Sequence, residues 1–235
     1  MQLAPGFPCA LSRERADEIA SLGRKRAAGM RRHVSTSERV FPRHCEERSD
    51  EAIHVSASIT APGVITQVGA FMRMVFGELD GKRSQRGEAF LALCQQAGIE
   101  GTFSETVLTD LWMKFILLAS NAGMMSLARQ PIGNLRDDPD MRPIFLAAYR
   151  EVADVGRAKG VSLPADAVDK IVALTSTMPP PMKASMALDL ERGNRLEVPW
   201  LSGKVVELGK QYGIPTPTHA MLYAMLKPYA MGGAR

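Results

Sequence analysis

Residues 104–129 hold a long helical pattern that constrains the whole chain. Ser104 is a good N-cap, and Pro131 stops the pattern just after Arg129. Between them Leu108, Leu111, Trp112, Phe115, Leu118 and Ala119 recur at helical spacing and make a wide apolar face. A helix apolar over so much of its circumference must be covered by other elements, so the fold has to form around it. Lys114 lies inside the apolar run. An ammonium there either snorkels to water or has its pKa lowered by desolvation.

The covering elements read as helices too. One starts at Asp138-Pro139, a cap followed by Pro in the first turn, and ends near Gly160. The next spans about Pro164 to Met178, and Pro179, Pro180 and Pro181 then break the chain. A short helix carrying Ser185 ends at Gly193, another runs from about Val198 to Tyr212 before Gly213, and the last from about Pro217 to Tyr229. An apolar content of 46% with 14 Met and only 6% aromatic residues suits such a core, filled by Ala, Leu and Met.

Upstream the pattern changes. Val55 to Gly69 alternates small or polar residues with Val and Ile around Pro62-Gly63 and predicts two short strands. Residues 70–79 predict a third, and Ser84 to Ala97 a helix closed by Gly98. Residues 1–54 are charge-dense and poor in large apolar residues, so they are expected to be poorly ordered. A helix from Ser12 to about Ala28 fits there, with Ser12 as its cap. The basic residues at 24–32 read as a solvated face rather than a nucleic-acid contact. His44, Cys45 and His54 match no standard metal-site spacing, so no metal is expected. The net charge of +4 is a weak argument for an anionic partner.

The 3 Cys are far apart and form no C-x-x-C pair, which suits reduced thiols in a cytoplasmic protein. No run of about 18 apolar residues is present, so no membrane span is expected. The opening residues lack a basic stretch followed by an apolar core, as a secretory signal would need.

Met182 to Gly203, MKASMALDLERGNRLEVPWLSG, holds the most suggestive polar residues. Ser185 falls in a short helix, and Glu197 is expected at the positive end of the next one, where an anion is favoured. Taken alone, the two serve equally well as an ordinary helix residue and an N-terminal charge.

A resemblance sharpens this. LWMKF at 111–115, PIGNLRDDP at 131–139, EVADVGRAKG at 151–160, SMALDLERGNRLE at 185–197 and LSGKVVELGKQYGIPTP at 201–217 resemble the C-terminal domain of ketopantoate reductase. Residues 55–81 resemble the strands that close that family's dinucleotide-binding domain. The resemblance implies a mainly α fold: an all-helical domain at 101–232, preceded at 55–100 by a small β-strand remnant of a Rossmann-type domain. It implies NADPH-dependent reduction of 2-dehydropantoate to pantoate, a step toward pantothenate. By resemblance Lys114 is the proton donor, Ser185 and Met182 belong to the substrate-binding segment, and Glu197 contacts the nicotinamide end of NADP. The partners implied are a small 2-oxo acid and a second copy of the chain in a homodimer, with no nucleic acid and no membrane.

The chain also departs from the family. Where the family often has Asn one and two turns after the Lys, this chain has Leu118 and Ala122. The nearest amide is Asn121, taken as a substrate-binding candidate with a buried structural amide as the alternative. The Gly-rich turn G-x-G-x-x-G that holds a dinucleotide pyrophosphate is absent, and residues 1–54 look unrelated to the family. The second expectation is therefore a truncated, non-catalytic remnant that acts as a self-association or interaction module.

Overall fold

The computed structural model describes residues 49–61 and 63–233. The helix expected at Ser12 to Ala28, the basic cluster at 24–32 and the His44-Cys45 pair lie outside the described residues. The chain divides into two compact units, residues 1–110 and 111–235.

In the first unit, strands β1 (Ser49–Ala61) and β2 (Val64–Glu78) pair antiparallel, from Ser49↔Glu78 to Ala61↔Val64. Gly63, with φ +74, sits at the turn between them. Helix α1 (Gln85–Gln96) then leads to β3 (Glu100–Phe103), which runs parallel to β2 from Arg73↔Glu100 to Phe76↔Phe103. The sheet order is β1-β2-β3. A parallel pair joined by a helix is the building block of a Rossmann-type sheet. Its core is Phe76, Cys94 and Phe103, with the two rings stacked at 5.5 Å. Ser84 caps α1 by accepting from the Gly87 N–H at 3.1 Å, and Gly98 closes it at φ +70.

Three expectations change here. Residues 70–79 are not a third strand but the continuation of β2, because β1 pairs with β2 along nearly its full length. The third strand, β3, is only four residues long and carries too little alternation to be read. β1 starts at Ser49, so residues 49–54 of the charged segment are strand.

The second unit is helical. Its elements are α2 (Val107–Ala128), α3 (Ile132–Arg136), α4 (Met141–Ala158), α5 (Ala167–Thr177), α6 (Ser185–Arg192), α7 (Ser202–Tyr212) and α8 (Pro217–Leu226), with a 3-10 turn at Lys227–Tyr229. The boundary between units falls inside α2. Ile116, Met124, Tyr149, Val152, Val205 and Leu222 belong to the main core. A second cluster joins Ala122 to Met186, Leu190, Leu196, Val198 and Leu226.

Two crossings are set by small residues. At Gly156 an added Cβ would lie 2.2 Å from Trp112 Nε1, which donates to the Val152 carbonyl at 3.0 Å. At Gly123 it would lie 2.9 Å from Leu222 and 3.2 Å from Ser202 Oγ.

Ser104 does not cap α2 as expected. Its hydroxyl accepts from the Thr106 N–H at 3.0 Å and donates to Asp110, shaping a turn before the helix starts at Val107. Asp138 does act near a helix start, accepting from the N–H groups of Asp140 and Met141 at 2.8 and 3.0 Å, but α4 begins only at Met141. α2 is also long and apolar enough, at a mean hydropathy of 1.3, to cross a bilayer by length and composition alone. Within this fold it is a core helix, fully buried from Ala119 to Ser126.

Candidate functional site

Lys114, Leu118 and Ala122 are spaced by four along α2 and share one stripe. Burial varies along it: Lys114 is half-buried, Leu118 is 42% exposed and Ala122 is buried at 4%. Burial holds the Lys114 ammonium below its usual pKa, because desolvation disfavours the charge. The face expected to be covered is covered only in part: Ala119 is buried, Leu111, Trp112 and Phe115 are half-buried, and Leu108 and Leu118 are 46% and 42% exposed.

Ser185 is the first residue of α6 and is exposed, whereas Met186 beside it is fully buried. The loop before it is fixed from α3. The Ile132 N–H donates to the Met182 carbonyl at 2.9 Å, and the Gly133 N–H to the Pro180 carbonyl at 3.0 Å. The Met182 side chain is 44% exposed. The Lys183 ammonium pairs with Glu191 across α6. α6 ends at Gly193, whose φ of 72 is left-handed.

Glu197 follows in extended chain between Leu196 and Val198, buried at 1% and 0%. Alternation of an extended segment turns the Glu197 side chain outward, and it is exposed. The sequence places Glu197 at a helix start, and the structure corrects this. Residues 198–201 form turns in which the Glu197 carbonyl accepts from the Trp200 and Leu201 N–H groups, and α7 starts only at Ser202. Pro199 keeps the helix from starting earlier, since it disfavours helical backbone at Val198. The Arg195 guanidinium lies 5.0 Å from the Trp200 ring centroid.

Ala122 links these pieces. It packs with Met186, Leu196 and Val198, the buried neighbours of Ser185 and Glu197. Ser185 and Glu197 are themselves exposed and lie outside that cluster. From Lys114 to Ala122 the helix rises about 12 Å.

Asn121 stands apart. It is buried at 4%, its Oδ1 accepts from the Tyr149 hydroxyl, and its Nδ2 lies 3.9 Å from Met178 Sδ. Burial pushes the Tyr149 pKa up to about 12, so the phenol keeps the proton it donates. The Asn121 amide is thereby committed to the core. Seven-residue spacing from Lys114 indicates the shared side of α2 but not that the helix has entered the core by that point.

A buried polar cluster went unread in the sequence. The Glu151 carboxylate accepts from the N–H groups of Thr218 and His219 at 2.8 and 2.9 Å and so caps α8. The fully buried His219 ring lies 3.2 Å through Nε2 from the Ala148 carbonyl, and 3.3 Å through Nδ1 from Ser202 Oγ. Nε2–H donating to Ala148 and Nδ1 accepting from Ser202 satisfy a neutral ring. Pro217 at the helix start is a sequence signal that a cap is needed. Nothing local says that Glu151 supplies it.

Comparison with known proteins extends this picture. Residues 106–230 match the family described as ketopantoate reductase PanE/ApbA, C terminal. The chain is 29% identical over 177 residues to the 2-dehydropantoate 2-reductase of Caulobacter vibrioides, covering 75% of this chain and 60% of that protein. It is 27% identical over 175 residues to the uncharacterized oxidoreductase YkpB of Bacillus subtilis, covering 74% and 58%. The crystal structure of 2-dehydropantoate 2-reductase from Methylococcus capsulatus superposes with a TM-score of 0.70 at 29% identity, over 77% of this chain and 57% of that one. The chain therefore spans somewhat under two thirds of the length of these relatives.

Proposed function

Since this chain belongs to the ketopantoate reductase family, we propose that it carries the substrate-binding and proton-donating side of an NADPH-dependent 2-oxo acid reductase. The observation that carries the reading is the half-buried Lys114, whose pKa is lowered by burial, in the domain that matches the family.

Reduction of a 2-oxo acid adds a hydride to the keto carbon and a proton to its oxygen, giving a 2-hydroxy acid. NADPH supplies the hydride when bound. Lys114 supplies the proton and stabilises the charge that builds on the oxygen. A lowered pKa suits this role, since the ammonium gives up its proton more readily and recovers it from water. The exposed Ser185 hydroxyl hydrogen-bonds the substrate, and the exposed Met182 side chain covers it. Asn121 enters the reading as the buried amide beneath the same helix face. Glu197, with an outward carboxylate, fits the reacting end of the cofactor. The described residues contain no Gly-rich turn for the phosphates, so no phosphate contact is assigned to them. A 2-oxo acid and a second copy of the chain complete the set of partners.

Titration calorimetry of the purified chain with pyruvate, the smallest common member of the substrate class, tests the reading. Saturable binding that weakens at least about tenfold in Lys114→Ala is expected, as for loss of a charge-assisted hydrogen bond. Binding that is equal in the variant, or absent in the wild type, contradicts it.

The missing Gly-rich turn favours a second reading, a non-catalytic interaction module. An NADPH titration separates the two. Saturable micromolar binding removes the module reading. No binding at millimolar cofactor removes unaided turnover by this chain.

A further inference from the structure

We infer that Leu118 makes this site select 2-oxo acids whose group beside the keto carbon is apolar. The inference rests on Lys114 as the partner of the keto oxygen. Leu118 is one turn from Lys114, about 6 Å along the axis, and is 42% exposed. A large apolar side chain is thus left in reach of whatever Lys114 holds. One turn further along comes Ala122, which belongs to the same buried apolar cluster as Met186, Leu196 and Val198. Met182, the residue before Lys183 in the Ser185 segment, is likewise exposed and apolar.

Hydrogen-bonding groups are missing from this part of the stripe. Leu118 and Ala122 have none beyond their helical backbone. The nearest amide on the helix, Asn121, is bound to Tyr149 and lies against Met178. A substrate hydroxyl placed against Leu118 would lose its water without gaining a partner, whereas a methyl or aryl group there would remove Leu118 from water. Both effects favour the apolar substrate.

A matched pair of ligands tests this. Trimethylpyruvate and ketopantoate share one carbon skeleton and differ by a single hydroxyl on the group beside the keto carbon. Calorimetric titration of the full chain should favour trimethylpyruvate by about tenfold or more. Leu118→Asn should bring the ratio of the two affinities to unity or below. Leu174→Asn, a change at a 48% exposed Leu on α5, should leave the ratio as it is. Equal affinities in the wild type, a preference for ketopantoate, or a ratio unmoved by Leu118→Asn would overturn the inference. Pyruvate serves as the common reference. If pyruvate binds and the ratio is unity, only the role of Leu118 fails. If no 2-oxo acid binds, the reductase reading fails and takes this inference with it.

Discussion

Half-burial on α2 lowers the pKa of Lys114 from 10.5, so its cationic form is lost earlier in a rising pH series than that of an exposed Lys. Binding of a 2-oxo acid anion should therefore decline as pH rises through that lowered pKa, earlier than an ordinary lysine titrates. A pH series of pyruvate affinities checks this, and Lys114→Ala should show no such decline. The half-burial of Lys114 was legible because a Lys within an apolar helical run either snorkels or is desolvated. Asn121 was not, because its role depends on Tyr149 and Met178, which approach from other helices. The backbone of Glu197 was not legible either, since turns at 198–201 separate it from the helix it was assigned to.

Helix ends were legible where glycine must take a left-handed backbone, as at Gly98, Gly193 and Gly213. The short elements β3 and α3 were not, because four or five residues carry too little periodicity and depend on pairing or packing from elsewhere. How helices cross is equally invisible. Gly156→Ala ought to improve the helix propensity of α4, yet its Cβ would collide with Trp112. Overpacking outweighs propensity here, and urea unfolding should register a loss of about 1–3 kcal/mol. The α8 cap makes a second prediction. Glu151→Ala removes the acceptor for two N–H groups and should cost about 2–3 kcal/mol in the same measurement.

For the molecule as a whole, the mainly α fold followed from the unbroken series of helical patterns after residue 104, and it is the fold of the ketopantoate reductase C-terminal domain. Its stability should depend on pH through His219. Burial lowers the His219 pKa below 6.5, opposed by the nearby Glu151 carboxylate and the bond to Ala148. The unfolded chain then binds the proton first. Stability is full above the unfolded pKa and is lost as pH falls below it, at up to about 1.4 kcal/mol per pH unit. His219→Gln should flatten that dependence between about pH 7 and 5.5 relative to the wild type. The central claim, however, is that Lys114 meets the substrate, and NMR titration of its side chain tests that most directly. Without ligand, Lys114 should titrate below 10.5, and saturating pyruvate should raise its pKa, because the bound carboxylate favours the charged form. A Lys114 that titrates at its ordinary value, or whose pKa does not move when pyruvate is added, would contradict the account.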